Sequence, residues 1–498
     1  MNQWKVVMMR AWIHAARAIV VCGLALVGCS PDPNVTAGCA SGNRSQCVVE
    51  ASMGAHFGCA LLTDHSVWCW GRNDESQLGY PTTDLCNEDI GGGQTRSVAC
   101  HTFPFQVHGL DHVTHVFSGE AFSCALRDDG TVQCWGANEA GQLGNGGVLP
   151  SAQPVPVAGL TMVTSLTLGA RHACAIANGA VRCWGANDKG QLGATSTSQC
   201  MLPGGMGACS LAPIAATGVS GAVDLAGGAL HTCARIGGGQ VQCWGDNSDG
   251  QLGNGMPGST PMTRMPVRTA SQPLASVVAI TAGSFHTCAL QDSGAVYCWG
   301  RNTHGELGLP VPTMTPMGCT DACSAIAIAV QGLPAAPSPI GGMDAGVDAG
   351  MDGGMDASLD GHVDPHVDAG VDIAVVDAFT VRDAMSSAGM APTAIAAGES
   401  FACALLADST VRCWGDDSLT QLGDGRTTMD PQAPAMVIAT PGAASNNPLQ
   451  SVTSITSGAA ATCGRINDGS LRCWGSNQDG ALGTGSTSPQ LGPAPLGW

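Results

Sequence analysis

Cysteine is the residue type in this chain best placed to do chemistry, and it comes in pairs. Cys59 and Cys69, Cys124 and Cys134, Cys174 and Cys183, Cys233 and Cys243, Cys288 and Cys298, Cys403 and Cys413, and Cys463 and Cys473 each bracket an apolar segment and a turn. The second member always opens Cys-Trp-Gly. Oxidation of each pair to a disulfide is the chemistry this spacing favours. Six pairs enclose nine residues, and three of the turns read Asp-Asp-Gly, Asp-Ser-Gly or Asn-Asp-Gly, the composition of a three-residue hairpin loop closed by a left-handed glycine. The third pair encloses eight residues around Asn178-Gly179, which suits a two-residue turn. Counting out from that turn puts Cys174 and Cys183 on a non-hydrogen-bonded pair, with Cα atoms about 4.5 Å apart and within reach of a disulfide. Zinc is less suited: one hairpin brings two ligands, and no second cysteine pair or histidine stands at finger spacing.

The chain has 24 cysteines. Beyond the hairpins, and leaving aside Cys22 and Cys29, eight fall into local pairs: Cys39 with Cys47, Cys86 with Cys100, Cys200 with Cys209, and Cys319 with Cys323. Three of these lie just after a Gln-Leu-Gly or similar motif, in the first, third and fifth repeats. A loop stapled at its base is pre-organised for recognition. The candidate binding residues are therefore Asp84, Glu88, Asp89 and His101 in the first loop, and Met201 and Met206 in the third.

Other potential chemistry is thinner. Histidine recurs just before the first hairpin cysteine, as His56, His172, His231 and His286, while Phe122, Phe401 and Ala461 stand there in other copies. Interchange with Phe and Ala points to a structural imidazole bonded to backbone rather than to a metal site. Asp344, Asp348, Asp352, Asp356, Asp360, Asp364, Asp368 and Asp372 recur every four residues, but interspersed Gly and Pro365 disfavour a helix. The expectation is a disordered acidic linker; calcium ligation is the sharper alternative for such carboxylates. No nucleophile elbow, Walker loop, zinc-protease helix or dinucleotide fingerprint occurs. Adjacent carboxylates such as Asp416-Asp417 give no evidence of divided acid and base roles. No catalytic residue, cofactor or metal is expected.

Each hairpin must be held by neighbouring elements. Upstream lies a strand-like piece such as Val277 to Gly283 or Val452 to Gly458. Downstream come Asn-x-x-Gly-Gln-Leu-Gly, as in Asn138 to Gly144, and a Pro-rich piece such as Gln153 to Gly159. Four short strands recurring seven times describe propeller blades. The motifs Ala-Gly-x-x-His-Thr-Cys-Ala-Leu, Gly-x-Val-x-Cys-Trp-Gly and Asn-x-x-Gly-Gln-Leu-Gly resemble the repeats of the regulator of chromosome condensation family. That resemblance implies an all-β, seven-bladed propeller over about residues 48 to 498. Its hairpin Trps would fill the space between blades. Because the first repeat starts abruptly at Val48 and the chain ends on Pro493-Ala-Pro-Leu-Gly-Trp498, the C-terminal strand is expected to complete blade one and close the ring.

The N-terminus sets the compartment. Lys5, Arg10 and Arg17 precede the apolar run Ala18 to Gly28, a charged start and short apolar segment typical of an export signal. Leu26-Val-Gly-Cys29 resembles the lipobox of bacterial lipoproteins, which implies lipidation of Cys29 in the cell envelope; Ser30, where inner-membrane lipoproteins often carry Asp, favours the outer membrane. The expected organisation is a signal peptide (1–28), a lipidated tether (29–47), blades one to five (48–340), an Asp/Gly-rich insertion (341–391), and blades six and seven with the closing strand (392–498). Disulfides persist only outside the reducing cytosol, and such staples compensate for a core of small side chains. Removing the signal takes three basic residues from 19 and leaves 16 against 38 acidic, or −22. That balance argues against nucleic acid, whose binding needs a Lys/Arg footprint.

The functional expectation is a monomeric, non-enzymatic envelope lipoprotein. It would touch the membrane only through its lipid and bind a protein or surface polymer through one loop-rich face. A guanine nucleotide exchange factor-like regulator, as the family resemblance implies, and an inhibitor of an extracytoplasmic enzyme, as in one secreted inhibitor of this propeller type, are the alternatives. A lyase or glycosidase using the propeller face is a third.

Overall fold

The computed structural model describes residues 47–91, 94–258, 265–309, 319, 322–334, 391–426, 428–439, 447–488 and 490–497. The expected signal peptide, Cys29, Cys39 and the Asp-rich insertion lie outside them. The described chain forms seven antiparallel sheets. Blade one holds β1 (Val48–Met53), β2 (Phe57–Leu62), β3 (Val67–Arg72), β4 (Leu85–Gly91) and β5 (Gln94–Gln106). Blade two holds β6 (Val113–Ser118), β7 (Phe122–Arg127), β8 (Val132–Gly136) and β9 (Ser151–Pro156). Blade three holds β10 (Val163–Leu168), β11 (His172–Ala177), β12 (Ala180–Ala186), β13 (Ser198–Leu202) and β14 (Gly205–Ala215). Blade four holds β15 (Ala222–Gly227), β16 (His231–Ile236) and β17 (Gln240–Gly245). Blade five holds β18 (Val277–Ala282), β19 (His286–Gln291), β20 (Val296–Arg301) and β21 (Cys323–Ala329). Blade six holds β22 (Pro392–Ala397), β23 (Phe401–Leu406), β24 (Val411–Asp417) and β25 (Thr428–Met436). Blade seven holds β26 (Val452–Ser457), β27 (Ala461–Ile466), β28 (Leu471–Gly475) and β29 (Gln490–Pro495).

Among the described residues, the outer strand of blade four is marked by a bridge between Gln242 and Pro266. Blades one and three gain a fifth strand because their stapled loops fold as hairpins, β4–β5 and β13–β14.

The hairpin chemistry follows the spacing. All seven pairs are disulfides between directly opposed residues, with Cα–Cα distances of 4.0 or 4.1 Å. Gly130, Gly294 and Gly469 take φ of 76°, 80° and 82°, the left-handed closure expected of their loops, and Asn178-Gly179 has φ of 52° and 74°. The glycine of Cys-Trp-Gly is left-handed in every blade, from 97° at Gly185 to 110° at Gly415. A Cβ on Gly136 would sit 2.6 Å from the Ala121 carbonyl, so no larger residue fits that turn.

The Trps do more than fill space between blades. Each indole N–H donates to a backbone carbonyl of the preceding blade, two residues before the glycine of its Gln-Leu-Gly turn. Trp135 reaches Gln77 (3.0 Å), Trp184 Gln142 (2.9 Å), Trp244 Gln191 (2.9 Å) and Trp299 Gln251 (2.9 Å). Trp414 reaches Glu306 (2.9 Å), Trp474 Gln421 (3.1 Å) and Trp70 Ala481 (2.8 Å). Burying a large ring while satisfying its one donor is what makes Trp, not Phe, the residue for this seam. Arginine–carboxylate pairs add to three seams: Arg171–Glu139 at 3.3 Å, Arg301–Asp249 at 2.8 Å and Arg72–Asp479 at 3.7 Å.

Closure differs from the expectation. β29 pairs with β28 inside blade seven, not with blade one. Each sequence repeat is one complete blade, so the ring is cut between blades and no strand has to cross. The seven–one seam is closed like the others, by the Trp70 bond and by a core joining Met53, Ala60, Leu62 and Trp70 to Ala461, Cys463, Leu471 and Leu482. Leu496, just past β29, joins that core, which is how the C-terminus supports closure.

His172, His231 and His286 are fully buried at one ring position, and Phe57, not His56, holds it in blade one. Two of the imidazoles reach the next blade's side chains rather than backbone. His172 Nε2 lies 2.9 Å from Thr232 Oγ1, and His231 Nε2 lies 2.8 Å from Thr287 Oγ1. Thr232 donates to the Gln191 carbonyl at 2.9 Å, so it accepts from His172.

Candidate binding face

The connection after each Gln-Leu-Gly motif begins from a buried side chain. In six blades Asn accepts the leucine amide five residues on: Asn73–Leu78 at 3.0 Å, Asn138–Leu143 at 2.9 Å, Asn187–Leu192 at 3.1 Å, Asn247–Leu252 at 3.1 Å, Asn302–Leu307 at 2.9 Å and Asn477–Leu482 at 3.0 Å. Asp417 does the same for Leu422 at 3.0 Å in blade six. The Asn amide nitrogen then ties down the loop beyond the turn: Asn73 to the Tyr80 carbonyl (2.8 Å), Asn138 to those of Gly147 (3.1 Å) and Leu149 (2.9 Å), Asn187 to that of Ala194 (2.8 Å), and Asn247 to that of Met256 (2.6 Å). These carbonyls belong to the loops at the same end of successive blades. Their backbone is fixed before any partner arrives.

On that fixed backbone stand exposed apolar side chains: Leu85 (67% exposed) in blade one, Leu149 (78%) with Val148 in blade two, Met201 (60%) and Met206 (64%) in blade three, and Met256 in blade four. Water-exposed side chains of this size on neighbouring, pre-ordered loops are what protein interfaces bury.

The two hairpins present the expected residues differently. In blade one, Cys86–Cys100 closes the base with Cα atoms 5.7 Å apart, and His101 Nε2 stands 3.5 Å from the Asp84 carboxylate. The His101 ring also packs near Phe105 (5.6 Å between centroids), which stacks on Tyr80 at 4.7 Å. Tyr80 is buried and donates to the Cys69 carbonyl at 3.1 Å; burial, then the Asp84 charge, pushes its phenol far above the ordinary value. Glu88 and Asp89 lie further out on β4, opposite Arg96 and Thr95. In blade three, Cys200–Cys209 staples the hairpin, and Met201 pairs directly with Met206 at its tip. Cys100, Cys209 and Cys323 each sit opposite the residue that follows Cys-Trp-Gly, so the three loop disulfides, Cys319–Cys323 included, anchor at one equivalent position. Cys47 is disulfide-bonded as well.

Asp84 meets His101 and Met201 meets Met206, but blade two separates the two groups. Val148 and Leu149, which bridge them along the rim, are residues that the reading of the sequence misses. Their signal is an apolar pair flanked by Gly146-Gly147 and Pro150, where polar turn residues are the norm.

A second polar cluster lies on the inner strands. His115 Nδ1 of blade two is 2.8 Å from Glu50 Oε2 of blade one, and that bond raises the His115 pKa against the effect of burial. Beside it, Glu50, Ser52, Phe117, Thr456 and Arg465 line a cavity of about 270 Å³. Among the described residues no three His, Cys, Asp or Glu side chains are grouped to hold a metal.

Known proteins share these repeats. Residues 23–355 match the model of the RCC1-like domain, and residues 393–421 match that of the regulator of chromosome condensation (RCC1) repeat. Human E3 ubiquitin-protein ligase HERC2 is 28% identical over 270 residues, which cover 52% of this chain and 5% of that protein. The ultraviolet-B receptor UVR8 of Arabidopsis thaliana is 26% identical over 267 residues, 53% of this chain and 43% of that one. The match thus spans less than half the length of either relative. In fold, human WBSCR16 superposes with a TM-score of 0.61 at 19% identity, covering 87% of this chain and 94% of that one. Yeast RCC1 (Prp20), solved bound to Kap60, gives 0.58 at 17% identity, with 91% and 86% covered. With seven blades, a repeated Cys-Trp-Gly hairpin and a family model matched over more than half its length, the chain belongs to the RCC1-like propeller family.

Proposed function

We propose that this protein is an exported lipoprotein, anchored through Cys29, whose stapled propeller binds a protein or surface polymer through the rim of blades one to four and catalyses no reaction. The observation that carries this reading is the row of exposed side chains: Leu149 and Met256 at carbonyls held by buried asparagines, and Leu85, Met201 and Met206 on disulfide-stapled hairpins. A rigid loop loses little conformational entropy when it is covered, so its apolar area converts into affinity more fully. Disulfides in all seven hairpins fit an oxidising compartment. Yeast Prp20, of the same fold, has been solved bound to Kap60 and characterised for binding to Gsp1p and histones, which supports a protein as the partner. An exchange-factor role would place the chain in a reducing cytosol, where such staples do not persist. Inhibition of an extracytoplasmic enzyme is the special case in which the partner is itself a catalyst.

The test is site-specific photo-cross-linking in intact cells from Leu149, Met201 and Met206, with Asn178 at the opposite end of the blade as control. The expected result is one shared partner from the three rim positions and none from Asn178, on protein carrying a diacylglyceryl group at Cys29. Products from Asn178 alone would overturn the rim, and an uncleaved N-terminus would overturn the anchor.

A further inference from the structure

Propeller blades end in an open edge, and this chain guards most of its own with proline. Pro104 stands in β5, Pro154 and Pro156 in β9, Pro213 in β14, Pro266 at the bridge of blade four, Pro431 and Pro434 in β25, and Pro493 and Pro495 in β29; β21 has none. Proline lacks the amide that an incoming strand needs, so such edges resist pairing. In blades one and three the guarded strand is not the last one; in blade three β13, which carries neither Pro nor an acidic residue, lies outside β14. β4 lies outside β5 and pairs with nothing else. Its sequence, Leu-Cys-Asn-Glu-Asp-Ile-Gly, has no Pro and no Lys.

The register says which groups face outward. The Cys100 amide donates to the Asp84 carbonyl at 3.1 Å, so Cys86–Val98 and Glu88–Arg96 are the bonded pairs, and Leu85, Asn87 and Asp89 turn their N–H and C=O away from β5. The neighbouring strand agrees: the Ala99 carbonyl, opposite Leu85, points the other way and accepts from Asn73 at 2.7 Å. Among the described residues, neither Leu85 nor Asn87 makes a backbone bond to another segment. A cleft of about 440 Å³ adjoins this edge, lined by Asp84, Leu85, Cys86, Asn87, Cys100 and, from blade seven, Thr487.

We propose that the free edge of β4 receives an extended, basic segment of the partner polypeptide as an added strand, with one of its side chains in the cleft beside Thr487. The inference rests on the rim reading only in placing the partner at this end of the blades. Main-chain bonding to Leu85, Asn87 and Asp89 supplies the register, as in other strand-addition complexes. Charge selects the occupant. β4 and the residue before it carry Asp84, Glu88 and Asp89, so a second copy of this chain would bring like charges together across the new pair, whereas a Lys/Arg-bearing strand is attracted. The Cys86–Cys100 staple holds the receiving edge in place, which spares the complex the entropy of ordering it.

The probe is an acetylated peptide of about ten residues, a usual strand length or longer, alternating Lys and Val, titrated into the mature full-length protein in detergent micelles. A Glu–Val peptide is the control. Saturable binding is expected, with amide exchange slowed within residues 85–91 and binding about tenfold or more weaker for the acidic peptide. Asn87→Pro removes an outward amide and leaves the backbone ladder to β5 in place, losing only the exposed bond that Asn87 accepts from Ser97 at 3.2 Å, and should weaken binding about tenfold. Asp84→Asn changes no backbone group and should weaken it severalfold. Unchanged binding in both variants, or protection elsewhere, overturns the proposal. So does protection of residues 85–91 that appears on concentrating the protein without peptide, which would make a second copy the occupant. Loss of cross-linking from Leu149 and Met206 with peptide binding intact would sink the rim and leave the strand site standing; the reverse pattern would do the opposite.

Discussion

The indole N–H of Trp70 donates to the backbone carbonyl of Ala481 at 2.8 Å, across 411 residues of sequence. The bond repeats, at the point where the chain must meet itself, the contact that every other pair of neighbouring blades makes.

Trp70→Phe should therefore loosen the ring at this seam. It removes a buried donor and leaves the Ala481 carbonyl unpaired, which costs about 1–3 kcal/mol apart from any packing loss. Thermal melting against Trp68→Phe, a partly exposed indole on the same strand, isolates the effect. Equal losses in the two variants would mean that the seam bond contributes nothing special.

Removing residues 490–498 takes the outer strand from blade seven and Leu496 from the seam core. The remaining blades keep all their strands. Hydrogen exchange should quicken in β26 to β28 and around Phe103, which lies beside Gly485 and Gly497, while blades three to five hold their protection. Uniformly faster exchange would restore the idea that the last strand locks the whole ring.

Acid should destabilise the protein through its buried imidazoles. Burial lowers the pKa of His172 to about 4, of His231 to about 3 and of His286 to about 4, against about 6.5 in an unfolded chain. Between those values the unfolded state binds protons that the folded state refuses. Stability is then full above about pH 6.5 and falls as pH drops toward 4, by on the order of 3 kcal/mol for each histidine. Asp224, raised to about 6 by burial, takes up a proton in the folded state between about pH 4 and 6 and offsets part of the loss. His286→Phe, the residue used by blades one, two and six, should flatten the decline in melting temperature between pH 7 and 4.5. An identical decline would place the acid sensitivity elsewhere.

His286 also lacks what its two neighbours have. Neither of its ring nitrogens has a side-chain partner, because Ala402 stands where Thr232 and Thr287 serve His172 and His231. Ala402→Thr should give it one and stabilise the ring by about 1 kcal/mol. Urea unfolding would measure it, and the double variant with His286→Phe should show the gain gone.

The architecture was legible because one local rule was written repeatedly. A cysteine pair fixes opposition, the turn residues set the loop type, and the shortened third hairpin with its Asn-Gly turn keeps Cys174 opposite Cys183. Closure was not legible, because a terminal Pro-rich strand reads the same whether it completes the first blade or the last. Only the pairing of Gln490 with Gly475 decides it. The imidazole partners were hidden for a similar reason: Thr232 and His172 belong to different repeats, and no period within one repeat reveals a bond between two. At the rim, cysteines mark the stapled loops of blades one and three. No such marker accompanies Leu149, whose outward position depends on Asn138 holding its backbone.

Every disulfide placed here among the described residues joins two positions of a single blade. Within the described residues these links make a string of small closed rings, and blade meets blade through non-covalent contacts such as the indole bonds. Each ring can be sealed by oxidation within its own short stretch, without waiting for distant sequence and with little chance of a wrong partner. Assembly then consists of docking finished units side by side, and under tension the molecule should part between units while each unit stays whole.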